Sequence, residues 1–144
     1  MENEILNKVS SMYRKAKRFI LCAVDNEGFP TAKAVLPSKN RKSLDEMFFV
    51  TNTASKYVAQ ITKNNKASVY FFNGILYRGC LLKGIMEVCD DVAVKEALWK
   101  DSYACAYPEG KTLRYDDPDF CVLKFTPKKG RYYFMFKTYN FDVK

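Results

Sequence analysis

Histidine is absent from the 144-residue sequence. A Ser-His-Asp triad, a Cys-His pair, a His-ligated metal and an imidazole general base are therefore excluded. Cysteine is present without metal-ligand spacing: Cys22, Cys80, Cys89, Cys105 and Cys121 contain no C-x-x-C pair, which argues against a zinc ribbon or an iron–sulfur site. Their odd number and wide spacing fit reduced, mostly buried thiols better than disulfides. With no histidine to activate one, none is expected to be a catalytic nucleophile, and Cys105 sits in the least regular stretch. Long hydrophobic runs are missing too. The longest, Phe19 to Val24, falls far short of a membrane span. The start, Met1-Glu2-Asn3-Glu4, carries acid where a signal peptide needs base. A soluble cytoplasmic protein with no membrane partner is expected.

Glycine (6) and proline (5) are sparse, and no linker, internal repeat or low-complexity tract breaks the chain. The length suits one domain over residues 1–144, and 48% hydrophobic content is ordinary for a globular core. Lysine and arginine number 24 against 16 acidic residues, a formal charge of +8. Such a charge favours anions without choosing among phosphate ligands, nucleic acid and membranes.

Apolar residues at Ile5, Leu6, Val9, Met12, Tyr13 and Ala16 recur at helical spacing and predict a helix over 3–17. Strands are expected at 19–24, 30–36 and 47–51, with a polar loop over 37–45. Thr53 or Ser55 can cap a short helix carrying Val58, Ala59 and Ile61. A strand over 67–72, an Asn-Gly turn at 73–74 and a return strand over 75–88 follow. Asp90 and Asp91 precede a helix over 92–101 and are read as its cap; Asp116 and Asp117 belong to a Pro-containing turn. Residues 121–125 and 131–137 are expected to close the chain as a strand pair. Short connections and the lack of βαβ alternation predict a mostly antiparallel sheet, closed as a barrel with helices at its ends.

The usual nucleotide motifs, G-x-G-x-x-G after a strand and G-x-x-x-x-G-K-[ST], are missing. The segment F-F-V-T-N-T-A-S-K-Y (48–57) instead brings a strand-end hydroxyl, Thr51, to a helix start bearing Ser55 and Lys56. Unpaired N–H groups at such a start can bind phosphate, and a first-turn cation opposes the helix dipole unless an anion is present. Lys33 lies inside the apolar strand 31–36, where a cation needs water or an anionic partner. Taken singly, these fragments also fit a capped helix with a solvated lysine and a half-exposed sheet face.

Together, P-x-x-K-A-V-L (30–36), F-F-V-T-x-x-x-S-K (48–56), Gln60, Ile61, Asn64, A-S-V-Y-F-F (67–72), Arg78 and Lys83-Gly84 resemble, in order and spacing, the pyridoxamine 5'-phosphate oxidase-like FMN-binding split barrels. The resemblance spans about residues 18–90. It implies an antiparallel Greek-key split β-barrel with short flanking helices, mostly β within the α+β class. It also implies a homodimer with FMN at the subunit interface. By that resemblance Lys33, Ala34, Val35 and Leu36 line the flavin, and Val50 and Thr51 follow on the third strand. Ser55, Lys56 and Tyr57 occupy the phosphate clamp, which here loses one of its two cations. Gly79 falls where the oxidase carries a flavin-contacting amide side chain.

The oxidase holds its substrate with a C-terminal Arg-x-His element, which this chain lacks, so oxidation of pyridoxamine phosphate itself is not expected. The chain resembles instead the short relatives, among them general stress proteins and nitroimidazole-resistance reductases. This implies an FMN-dependent oxidoreductase exchanging electrons with small-molecule donors and acceptors; a non-catalytic flavin-binding stress or carrier protein is the alternative. Heme or deazaflavin in place of FMN stays open, as does which aromatic residues face the ring. The homodimer is also expected from the strongly aromatic C-terminal strands. Residues 129–136, K-G-R-Y-Y-F-M-F, partly echo an RNA-recognition strand but break it at Arg131 and Tyr132, so nucleic acid is not an expected partner.

Overall fold

A computed structural model describes residues 2–35, 38, 41, 43–73, 75, 77–107 and 114–143. Helix α1 (Glu2–Lys15) opens with Glu2 and Glu4, which suit the positive end of its dipole, and closes with Arg14 and Lys15. Arg41 completes that end, its guanidinium donating to the backbone oxygens of Tyr13 (2.8 Å) and Ala16. Strands β1 (Phe19–Val24), β2 (Pro30–Val35) and β3 (Met47–Asn52) follow, then helix α2 (Lys56–Lys63). The hairpin β4 (Lys66–Asn73) and β5 (Arg78–Cys89) leads to helix α3 (Val92–Leu98), whose cap Asp91 accepts from the N–H groups of Ala93 and Val94. A 3-10 helix spans Asp101–Ala106 before β6 (Phe120–Phe134) and β7 (Lys137–Asp142).

All pairings are antiparallel, and the order across the sheet is β2-β1-β4-β5-β6-β3, with β7 also paired to β6. The chain thus passes from β2 at one end of the sheet to β3 at the other, the crossing that makes a Greek key. The expected full closure is not met, because no ladder joins β2 to β3 among the described residues. Their Cα atoms approach within 8 Å all the same. The result is a split barrel whose open seam lies between β2 and β3.

The main core lies inside the curled sheet and beneath α1 and α2. Val9, Phe19, Val69, Phe71 and Phe125 are sealed within it, and Phe19 meets Phe49 and Phe71 at ring separations of 5.7 and 5.3 Å. On the other side of β3 and β6, Leu98, Phe120 and Val122 form a second cluster with Val50 and Trp99.

Three expectations are corrected. The helix over 92–101 stops at Leu98, because Trp99 turns extended to set its ring edge-on to Phe120 at 4.9 Å. The return strand begins at Arg78, after Tyr77 takes a positive φ; Gly74 of the expected turn lies outside the described residues. The strands expected at 121–125 and 131–137 are one strand, β6, and the hairpin falls after Phe134 instead. P-K-K-G (127–130) reads as a turn but forms a bulge. Lys83 pairs with Lys129 and Gly84 with Pro127, so Lys128 is left over against β5, and its carbonyl accepts instead from Val143. A proline fits such a place because no ladder N–H is required of it.

Burial also sets the titration of the core. It pushes Cys80 up to about 12 and Tyr13 up to about 12; Tyr70 reaches about 12 by burial together with its bond to Tyr133. Their neutral forms are favoured in the folded chain, whereas unfolded thiols and phenols ionise near 9.0 and 10.0. Stability from these groups is therefore complete below about pH 9 and is lost as pH rises towards 12. The melting temperature should hold steady from pH 7 to 9 and fall steeply above; an unchanged melt at pH 11 would contradict this assignment. Exposed Cys105 should be the first thiol alkylated by iodoacetamide, and Cys80, with 0% exposure, should react only on unfolding. Peptide mass spectrometry after timed labelling reads that order directly.

Candidate functional site

The seam gathers most of the residues singled out in the sequence. On β2 the register pairs Val35 with Phe19, Lys33 with Leu21 and Thr31 with Ala23. Directly opposed residues share a sheet face, so Lys33 points to the same side as the buried Leu21. It is nevertheless exposed, because β2 ends the sheet and among the described residues no strand pairs with its outer edge. A cation on the core-facing side of a strand is placed to meet something that enters the seam. Among the described residues neither Lys33 nor Lys56 makes an ion pair.

Opposite lies the end of β3. Met47 and Phe49 bury in the main core, so alternation puts Thr51 on the inner face with them. The side chain of Val50 points the other way and packs on the second cluster. A ligand in the seam would meet Val50 through its backbone. The Tyr107 hydroxyl donates to the Thr51 carbonyl at 2.8 Å and ties this strand end to the 3-10 helix.

From β3 the chain turns into α2, with the Ser55 N–H donating to the Asn52 carbonyl at 3.0 Å. Ser55 caps the helix, its Oγ accepting from the Tyr57 N–H at 3.2 Å. That bond leaves the hydroxyl proton free to be donated to an anion. Two contacts fix α2 against the first two strands. The Tyr57 hydroxyl donates to the Leu21 carbonyl at 3.1 Å, at the level where Leu21 pairs with Lys33. The Thr31 hydroxyl lies 3.0 Å from the Ala23 carbonyl and 3.1 Å from Gln60 Oε1, its one proton shared between them. Burial raises the Tyr57 phenol above its ordinary value, so it stays a neutral donor through the physiological range.

Lys33, Val35 and Thr51 therefore face the inside of the barrel at the seam, with Ser55 and Lys56 at the helix start docked beside them. Ala34 alternates to the outer face and is exposed. Leu36 lies outside the described residues. Gly79 is not brought to this place. It pairs with Phe72 and Tyr133, whereas Thr51 sits across from Cys121, level with the Cys89 end of β5. The two ends of β5 are roughly 30 Å apart along an extended strand. The Tyr133 ring covers the Gly79 Cα so closely that a Cβ there would fall 2.5 Å from the hydroxyl oxygen.

Sequence reasoning named Tyr57 and Gln60 within the family motif but missed the contacts that hold these pieces in position. Tyr57, Gln60 and Thr31 join α2 to β1 and β2, and Tyr107 anchors β3. Each acts across a long stretch of chain, and no local pattern marks such a partner. The inward side of Lys33 was recoverable once β1 was read as a strand, since the register follows from the buried alternation of Phe19, Leu21 and Ala23.

Comparison with known proteins agrees with this architecture. The sequence profile of the family described as pyridoxamine 5'-phosphate oxidase like matches residues 4–138. A Clostridium acetobutylicum protein related to general stress protein 26 of Bacillus subtilis, of the pyridoxinephosphate oxidase family, is similar at 31% identity. Its TM-score is 0.84, with 99% of this chain and 97% of that one covered. A pyridoxamine 5'-phosphate oxidase-related, FMN-binding protein from Nostoc punctiforme shares the fold at 14% identity and TM-score 0.68, covering 98% and 95%. A heme-binding protein from Mycobacterium smegmatis shares it at 15% identity and TM-score 0.71, covering 94% of this chain and 56% of that one. No curated protein matches the chain.

Proposed function

Because the chain belongs to the pyridoxamine 5'-phosphate oxidase-like family, we propose that it holds FMN at the β2–β3 seam and works as an FMN-dependent oxidoreductase on a substrate other than pyridoxamine phosphate. The observation that carries this reading is the inward-facing Lys33, without an ion pair among the described residues, on an end strand beside a serine-capped helix start that bears a second cation. The donor set suits a phosphate monoester. Lys33 and Lys56 supply charge, the Ser55 and Thr51 hydroxyls supply protons for hydrogen bonds, and the first turn of α2 adds its dipole. The FMN-binding relative of the same fold supports the choice of nucleotide.

Bound FMN would supply hydride and single-electron chemistry, which asks of the protein only binding, orientation and exclusion of water. A chain without histidine can do this. Here Lys33, Lys56 and Ser55 would fix the phosphate, while the free edges of β2 and β3 would present backbone groups at Ala34 and Val50 to the rest of the cofactor. The neutral Tyr57 holds the helix start against β1, so the clamp is set before the ligand arrives.

A second copy of the chain fits the same reading. Gly79 is too far along β5 to meet a ligand beside Thr51 of its own protomer, so its part in the site would come from a partner. The outer sheet face also leaves Ile20, Tyr70 and Leu81 half-buried. Light scattering is expected to give twice the chain mass of 16.7 kDa; a monomer would remove Gly79 from the site. Among the described residues no helix is long and apolar enough to cross a membrane.

The test is reconstitution. Purified protein should take up FMN, show a protein-bound flavin spectrum and catalyse electron transfer from NADH or NADPH to a small acceptor. Uptake of FMN without turnover would favour the carrier protein, and a Soret band in place of a flavin spectrum would favour heme. No uptake of FMN would overturn the reading.

A further inference from the structure

A second cleft, of about 800 Å³, lies away from the seam between α1 and the tip of the β4–β5 hairpin. Five cations line it, namely Lys8, Lys15, Lys17, Arg18 and Arg78, and no carboxylate does among the described residues. Glu4 partly neutralises Lys8 at 3.1 Å. The other four make no ion pair among the described residues. Between the cations the lining is apolar, from Met12, Ala16, Phe72 and Ile75. Phe72 is 50% exposed and Ile75 89%, which leaves large apolar side chains in water at the lip.

Arg78 is the fixed member of the set. Its guanidinium stacks on Phe134, 4.8 Å from the ring centroid, and its Nε is buried with no hydrogen-bond partner among the described residues. With the ring holding the guanidinium in place, its two terminal nitrogens form a pair of donors suited to a carboxylate or phosphate. A simple inorganic anion would use the charge and leave the apolar lining wet. A second copy docked here about a two-fold axis would set one cationic rim against another.

The geometry points to a binding site for an amphipathic organic anion, its aromatic or acyl body on Met12, Ala16 and Phe72 and its phosphate or carboxylate head on Arg78 and Arg18. The cleft shares no lining residue with the seam of its own protomer; in the proposed dimer it lies beside Gly79, so the test is run with FMN already bound.

Phenyl phosphate is the probe, titrated by calorimetry into protein loaded with one FMN per chain and freed of excess, so that the seam is filled and the cleft is left open. It should bind at least tenfold more tightly than inorganic phosphate or benzyl alcohol, since each of these meets half of the site. Arg78→Met keeps the stem on Phe134 and removes the charge, and should weaken phenyl phosphate about tenfold. Lys66→Met, at the far end of β4, should change nothing. Should Arg78→Met fail to fold, the double variant Lys15→Met/Arg18→Met at the rim should show the same loss. Equal affinity for phosphate and phenyl phosphate, an equal loss in Lys66→Met, or no binding at all would overturn the proposal. Failure to take up FMN would strike the seam reading alone, because the cleft variants still report on phenyl phosphate.

Discussion

Replacing Lys33 by alanine is expected to weaken FMN binding by about 10- to 150-fold. The range follows from the roughly 1.5–3 kcal/mol attached to a charge-assisted hydrogen bond to an ionised group. Lys33 lies on the core-facing side of an end strand and has no carboxylate partner among the described residues, so its removal breaks no ion pair there. The side chain is also exposed, so its loss opens no cavity. The cost should therefore appear in binding and scarcely in the melting temperature. Lys56→Ala should behave alike, and with less effect on folding than most helix substitutions, because Lys56 opposes the dipole of α2. Riboflavin lacks the phosphate and should bind the native protein poorly, losing little more in either variant. Equal losses for FMN and riboflavin would mean that the lysines shape the ring site or the fold. Unchanged FMN affinity in both variants would remove the phosphate clamp from the seam.

The largest loss of stability from one added carbon should come from Gly84→Ala. At the bulge a Cβ on Gly84 would fall 2.1 Å from the Thr126 carbonyl oxygen and 2.8 Å from the Pro127 Cα. Both are backbone atoms, so no rotamer change relieves the overlap and the β5–β6 ladder itself must open. Overpacking of this sort costs about 2–4 kcal/mol, or roughly 8–15 °C in melting temperature for a domain of this size. Gly28→Ala is the control. Gly28 has φ +87°, which disfavours a side chain, but nothing lies within 4 Å of its Cβ position. Its substitution should cost only about 1 kcal/mol of backbone strain. Thermal denaturation of the two variants separates the effects: similar losses would show that the close approach to β6 does not decide the role of Gly84.

The sequence by itself determined the elements that local chemistry specifies. The apolar spacing of Ile5, Val9 and Tyr13 can bury only as a helix. The alternation in Phe19, Leu21 and Ala23 can bury only as a strand. Ser55 and Asp91 mark helix starts because their side chains satisfy N–H groups that the helix leaves open. The candidate site was legible to the same extent, since Lys33, Thr51, Ser55 and Lys56 stand out as cations and hydroxyls where an apolar strand and a helix start do not need them.

Tertiary structure decided the rest, because it depends on pairs of residues distant in the chain. P-K-K-G at 127–130 has the composition of a turn, and only the opposing Gly84 lets it stay in one long strand as a bulge. Trp99 has no local reason to end a helix; Phe120 supplies it. Among the described residues β2 and β3 close in without bonding, so the barrel stays open there, and that opening leaves an inward lysine in reach of solvent. Local sequence chose which residues carry charge and hydroxyls. The register of β1 with β2 and the docking of Tyr57 on Leu21 chose which of them meet, since a sheet face and a helix position are set by partners elsewhere in the chain.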